Sequence, residues 1–487
     1  MGKDSQMITN CGSSEETSQQ RTAPKATQIY HPVRSIGKIL VEDWHTSRYT
    51  LFGILLVLLT TLVVLAYYLN RPFAEPRTDT ISYLYVVNLI QNHGQLVNTW
   101  RLPGYPLLIV LVYALAGQGN LSAVGFVHLG LFVLTTLELY ILVALVLKRA
   151  WVAFLIGLLV GANLPMLSFV KPILSEALAL WLVVSLTLAA VWYLYTLRAG
   201  MLWLVTLCLL LLLLTRPEWI FLPVPLFIYL LLMAASRGRL QNLLPHALAS
   251  VALLFAVMAG YVYINATQNG VPQVTVVENI NALGKVVQYH MQDEAPPQYA
   301  SISRRIDSYV ARGITDPYTI LRHEPALADN NSTRAGEFAG AIIERHIGEF
   351  LLKTIPVAFF SLSDFHAASN ILPNGALGTP LLRLESVFLF LYRWNALYPL
   401  CAAIWLFLLC WKRTRHLRIV QTMGAVVLIG LYGLIVTALG AYSSYDYTRI
   451  HTIFNPLLIT VIWGSLLMGA LLLARRGSEA LVWLARR

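Results

Sequence analysis

Asp79 lies in the stretch Arg77-Thr78-Asp79-Thr80-Ile81-Ser82-Tyr83, and Arg101 in Trp100-Arg101-Leu102-Pro103-Gly104-Tyr105-Pro106. Further on come Lys171 and Glu176 in Lys171-Pro172-Ile173-Leu174-Ser175-Glu176, then Arg216 and Glu218 in Thr215-Arg216-Pro217-Glu218-Trp219. Arg449 and His451 lie in Tyr445-Asp446-Tyr447-Thr448-Arg449-Ile450-His451. Each group stands at the edge of a long apolar run, where an ionised side chain is expensive to keep and tends to mark function. Arginine makes paired, charge-assisted hydrogen bonds to phosphate oxygens. A carboxylate beside a reacting carbon can take the proton of an attacking hydroxyl. Brought together, Asp79 and Glu176 supply carboxylates, while Arg101, Lys171, Arg216, Glu218 and Arg449 supply binding groups. Such a pocket suits a lipid-linked phosphate. The membrane would receive the tail; if the leaving group is a polyprenyl phosphate, Arg216 and Arg449 would neutralise the charge developing on it, and the chemistry would be sugar transfer with no soluble nucleotide.

For these residues to meet, the turns that carry them must all open on one side of the bilayer. The chain has 487 residues, 57% hydrophobic and 12% charged, with a mean hydropathy of +0.64. Soluble domains carry about 25% charged residues, so a water-soluble globular enzyme is excluded. Apolar runs at 49–69, 121–147, 151–168, 174–196, 201–215, 219–235, 246–264, 386–411, 419–440 and 454–474 reach or approach the roughly 20 residues that cross a hydrocarbon core. The expected fold is an all-α polytopic membrane protein with about ten transmembrane helices. A further run, Leu107 to Ala116, is about half the length a span requires. If it stays on one side, Lys148-Arg149, Arg198, Arg237, Arg239, Lys412-Arg413, Arg415, Arg418, Arg475-Arg476 and Arg486-Arg487 all share the opposite side, which the positive-inside bias makes the cytoplasm. Residues 70–120 then form one extracytoplasmic loop with two partly immersed helices, the first running from Asp79 to about Asn92. Both chain ends are cytoplasmic, in a plasma or inner membrane, and the ionisable set faces outward.

Four regions follow. Residues 1–48 read as a disordered tail, too polar to bury a core; Arg34, Lys38 and Arg48 keep it in the cytoplasm. Residues 49–264 form a transmembrane module that includes the 70–120 loop. Residues 265–385 are long, polar and mixed in charge, and read as a small extracytoplasmic cap, with breaks at Pro296-Pro297 and Leu372 to Pro380 and an amphipathic helical stretch from Thr333 to Phe360. Residues 386–487 return to the membrane. The net charge of +11 is spread in short clusters between apolar runs, so it sets orientation rather than nucleic-acid binding. Cys11, Cys208, Cys401 and Cys410 form neither a disulfide framework nor a metal-ligand spacing.

At the residues of the opening paragraph the chain resembles the GT-C glycosyltransferases, in the bacterial branch similar to aminoarabinose transferases and protein O-mannosyltransferases. The likeness covers residues 49–235 and, more loosely, the last span. It rests on Asp79 soon after the first span, Arg101 through Pro106 ahead of a non-crossing helix, a long second span ending at Lys148-Arg149, Ser175-Glu176 opening the fourth span, and Arg216 before the sixth. The resemblance implies a polyprenyl-phosphate-sugar donor, an extracytoplasmic active site, a lipid, glycan or protein acceptor, and Asp79 as catalytic base. No Asp-X-Asp or Glu-X-Asp pair occurs in the first outer loop, where Glu75 and Asp79 are four apart, and Leu102-Pro103-Gly104-Tyr105-Pro106 replaces the Lys-Pro-Pro or His-Pro-Pro element of the closest relatives. The residues therefore require no cofactor, though they leave room for a divalent metal.

Plainer roles exist for each residue. Asp79 suits a helix start, where Asp contributes about 1 kcal/mol; Glu176 can pair with Lys171, and Arg216 with Glu218; Arg101 can bind lipid headgroups. His128 and Glu138 sit inside the second span. Trp100, Trp219 and Trp394 fit an interfacial belt, and Asn265-Ala266-Thr267 and Asn331-Ser332-Thr333 are glycosylation sequons. Two other functions share the chemistry: a polysaccharide polymerase or ligase with a diphosphate-linked donor, and a lipid or sugar transporter. A transporter commonly shows broken helices or matched halves around a midplane site, whereas these charges gather at one face.

Overall fold

The computed structural model describes residues 47–70, 74–329, 331–365, 371–375 and 377–485. The 1–48 tail lies outside the described residues except for its last two, which already belong to the first helix. Among the described residues the secondary structure is helical, without strands.

The chain runs through α1 (Ser47–Leu69), two short helices α2 (Thr78–His93) and α3 (Gly104–Ala116), then α4 (Leu121–Leu147), α5 (Ala150–Gly161), α6 (Leu164–Val170), α7 (Glu176–Thr196) and α8 (Ala199–Thr215). A single 3-10 turn, Pro217–Trp219, leads into α9 (Pro223–Ala235) and α10 (Leu240–Asn269). The polar segment folds as α11 (Val277–Gln288), α12 (Ala300–Ala311), α13 (Pro317–His323), α14 (Thr333–Arg345) and α15 (Ile347–Ser363). The chain then returns through α16 (Gly378–Tyr392), α17 (Tyr398–Cys410), α18 (Arg418–Gly440) and α19 (Ser444–Ala485).

Among the described residues eight segments are long and apolar enough to cross a bilayer, and α5 with α6 makes a ninth, bent by 56°. The protein is therefore a multi-pass membrane protein. Of the ten expected spans, α8 is the marginal one: its 17 residues make about 25 Å of helix. α3 has 13 residues, about 20 Å, too short for a core of about 30 Å.

Three expected spans differ from plain rods. The 151–168 run breaks because Asn163 accepts a hydrogen bond from the Met166 amide at 3.1 Å and Pro165 follows, which together start a new helix. The 386–411 run is interrupted by a 3-10 turn, Arg393–Leu397, before Pro399 opens α17. The last span begins ten residues earlier than its apolar run, so Arg449 sits on the helix itself. The expected helix from Thr333 to Phe360 is two helices, divided at His346.

α7 is the innermost helix. It packs against α4, α8, α18 and α19, and 72% of its apolar stretch is buried against 22% for α1, as its apolar character on all sides demands. Its far end carries basic side chains: Lys148 and Arg418 stand 5.0 and 5.7 Å from the Tyr195 ring, and Arg237 donates to the Leu194 carbonyl at 2.6 Å. Its near end is Glu176. Over that end lie α11 to α15, which share a hydrophobic core of Leu283, Val286, Ile306, Ile320, Phe338 and Ile342.

Candidate active site

The loop after α1 and the turn before α7 are fastened to each other by backbone and hydroxyl bonds. The Ile173 amide donates to the Glu75 carbonyl at 3.1 Å, and Thr80 donates to the Ile173 carbonyl at 3.0 Å while accepting from the Arg77 amide at 2.8 Å. The Tyr83 hydroxyl meets Ser175 Oγ at 2.9 Å. Tyr83 stacks edge-on with Tyr105, whose hydroxyl lies 3.1 Å from His128 Nε2. His128 Nδ1 is 3.0 Å from the Val170 carbonyl, so Nδ1 carries the proton and Nε2 accepts from the tyrosine. His128 thus ties α3 and α4 to the α6–α7 turn. The start of α3 presses on the end of α8: a Cβ on Gly104 would lie 2.7 Å from the Leu214 carbonyl oxygen and from Thr215 Oγ1, so only glycine lets the two approach beside Arg216.

These fastenings converge three carboxylates and three guanidinium groups. Arg449 donates through Nε to Glu176 Oε1 and through Nη1 to Asp79 Oδ2 at 2.6 Å. Arg101 Nη2 reaches Asp79 Oδ1 at 3.1 Å, its Nε donates to Ser82 Oγ at 2.8 Å, and its guanidinium lies 4.6 Å from the centroid of the Tyr83 ring. Arg216 donates through Nη1 to Glu176 Oε1 at 3.0 Å and through Nε to Glu218. Each guanidinium has five N–H groups, so each retains donors not committed to these bonds. Burial pushes the Asp79 carboxyl up, but Arg449 and Arg101 outweigh it and hold it below its ordinary value.

A cavity of about 800 Å³ opens on this network, within the range of small-molecule sites. Asp79, Arg101, Arg216, Glu218 and Arg449 line it. Glu176 does not: its side chain has no exposed surface and lies behind Arg216 and Arg449, where it fixes their positions. Lys171 is also fully buried, with Nζ 5.1 and 5.4 Å from the Tyr68 and Tyr67 rings. It follows α6 on a tight turn that points it inward, so the expected place among the cavity groups is corrected. His451 is buried against Phe454, and Glu138 accepts from Trp181 and Ser185 within the bundle.

The opposite wall comes from the cap, with Glu278, Asn281 and Lys285 on α11, Tyr318 on α13 and Phe350 on α15. None of these was singled out from the sequence. The spacing 278, 281, 285 is one face of a helix, but an amphipathic pattern names no partner for that face. Burial pushes the Tyr318 hydroxyl up, and the Arg101, Asp79 and Arg449 charges act on it, which places it over the network. Lys285 donates to Gln288 Oε1 at 3.0 Å and to the Tyr289 hydroxyl at 3.3 Å, and burial pushes its amine down to about 7.

Among the described residues, three ligand-type side chains, Glu294, His346 and Glu349, bring their ligand atoms within 4.8 Å of one another. They lie in the cap, outside the cavity lining, and Lys353 pairs with Glu349 at 2.6 Å.

No family model and no curated protein matches this sequence. Among solved structures it is similar to the archaeal oligosaccharyltransferase AglB from Archaeoglobus fulgidus in complex with an inhibitory peptide and a dolichol-phosphate, at 12% identity and a TM-score of 0.41. The match covers 91% of this chain and 52% of that one. The chain thus spans about half the length of that neighbour.

Proposed function

We propose that this protein is a membrane glycosyltransferase of GT-C type, moving a sugar from a polyprenyl-phosphate donor to a lipid, glycan or protein acceptor. One observation carries the reading: Arg101, Arg216 and Arg449 are held by carboxylates in the lining of a cavity between the helix ends and the cap, with N–H donors left over. A preorganised guanidinium cluster stabilises charge that develops on a leaving phosphate without reorganising at the moment of reaction. The starts of α2, α7 and α11 also meet the cavity through Asp79, Ser175 and Glu278, and the positive ends of helix dipoles favour an anion there. The arginines supply the positive charge that a divalent ion would otherwise bring, so the proposal calls for no metal.

The gathering of Lys148, Arg237 and Arg418 at the other end of α7 supports a cytoplasmic placement for that end and an extracytoplasmic one for the cavity. Asp79 and Glu176 steady the guanidinium groups. As the base, Asp79 would accept the proton on the lone pairs its two arginine partners leave open, at a basicity that Arg449 and Arg101 lower. The test is incubation of the purified protein with a panel of polyprenyl-phosphate-linked sugars, followed by mass spectrometry for released polyprenyl phosphate. Release from at least one donor, reduced about 100-fold in Arg216→Met, supports the reading; no release from any donor overturns it.

A further inference from the structure

The proton of an attacking hydroxyl goes most readily to a cavity carboxylate that no neighbouring side chain holds, because each hydrogen bond or cation on the ionised form lowers its basicity. Four carboxylates line it: Asp79, Glu218, Asp446 and Glu278. Asp79 is held by Arg101 and Arg449, Glu218 by Arg216, and Asp446 accepts from the Ser443 hydroxyl at 2.6 Å. Among the described residues Glu278 has no cation or hydroxyl within hydrogen-bonding distance. It is open to the cavity and fixed from behind: the Val276 amide donates to the Thr99 carbonyl at 2.8 Å, two residues from Arg101, and α11 packs on α13 and α14.

From this placement, and resting on the transfer reading above, we infer that Glu278 is the proton acceptor of the reaction, delivered to the site by the cap. The acceptor hydroxyl oxygen bonds to the anomeric carbon as the bond from that carbon to the phosphate oxygen breaks. The bonding pair leaves with the phosphate, toward Arg216 and Arg449, and the hydroxyl proton passes to Glu278, which returns it to water after product release. Asp79 remains the anchor of Arg101 and Arg449. The walls of the cavity onto which Glu278 opens, and the facing charge of Glu218, push its carboxyl up to about 7, close to the working pH that suits a general base. Asp79, held low, is the weaker base.

The experiment uses the full-length protein with a donor that the wild type consumes, over pH 5 to 9. A base must be deprotonated, so wild-type kcat rises with pH and levels off above about 7. Glu278→Gln should lose about 100-fold or more in kcat and lose the acid limb, while binding polyprenyl phosphate as the wild type does; added formate should restore turnover to Glu278→Gly. Asp79→Asn should weaken phosphate binding and keep the limb. A Glu278→Gln protein with wild-type kcat, or an acid limb that disappears in Asp79→Asn instead, overturns the assignment alone. A wild type that consumes no donor overturns the transfer reading, and this assignment with it.

Discussion

Arg449→Met removes one of the two guanidinium partners of Glu176 and one of the two partners of Asp79. The Glu176 side chain has no exposed surface and that of Arg449 is 13% exposed, so solvent screens the pair little. Breaking a buried pair by removing one partner costs about 3–5 kcal/mol. Arg216 stays 3.0 Å from Glu176, which puts the loss near the lower end, about 3 kcal/mol. That is roughly a 100-fold fall in the folded-to-unfolded ratio. In a Glu176→Gln background the same substitution strands no buried charge and should cost about 1 kcal/mol, giving a coupling of about 2 kcal/mol between the two sites. Unfolding of the purified protein by SDS titration, followed by circular dichroism at pH 7, measures all four corners of the cycle. A loss under about 0.5 kcal/mol in Arg449→Met, or a cycle without coupling, would refute the buried bridge.

Gly104→Ala places a methyl group 2.7 Å from the α8 backbone and should cost about 1–3 kcal/mol while displacing Arg216; Gly130→Ala, which meets nothing within 4 Å, is the control that leaves the same SDS titration unchanged. Lys285 has a folded-state pKa of about 7, below its unfolded value. The unfolded chain therefore binds the extra proton between those values, and stability gains from this residue as pH rises from about 7 toward 10. Unfolding midpoints across that range should climb more steeply for the wild type than for Lys285→Met, and parallel curves would show that the amine is not buried.

Much of the scaffold was legible because its signals are long. Nine of the ten apolar runs coincide with segments able to span, counting bent α5–α6 as one, and the half-length run after Gly104 is a half-length helix. Turn geometry was harder to read. Nothing in Lys171-Pro172-Ile173-Leu174-Ser175-Glu176 says that Lys171 turns toward Tyr67 and Tyr68, or that Glu176, as the first residue of the innermost helix, lies behind the arginines rather than beside the cavity. The starts of α6 and α17 were hidden because Asn163 and Pro399 sit inside otherwise apolar runs. The cap residues were hidden for a different reason: Glu278 and Tyr318 lie some 200 residues from Asp79 in sequence, and what brings them together is the Thr99–Val276 bond and the packing of α11 on α13, neither of which leaves a local pattern.

The most direct test of the central claim is a cryo-electron microscopy structure of the protein with a polyprenyl phosphate bound. The account predicts phosphate density within hydrogen-bonding distance of Arg216 and Arg449, with the lipid tail leaving the cavity into the bilayer. Phosphate density at the opposite end, beside Arg237 and Arg418, with the cavity unchanged, would contradict it.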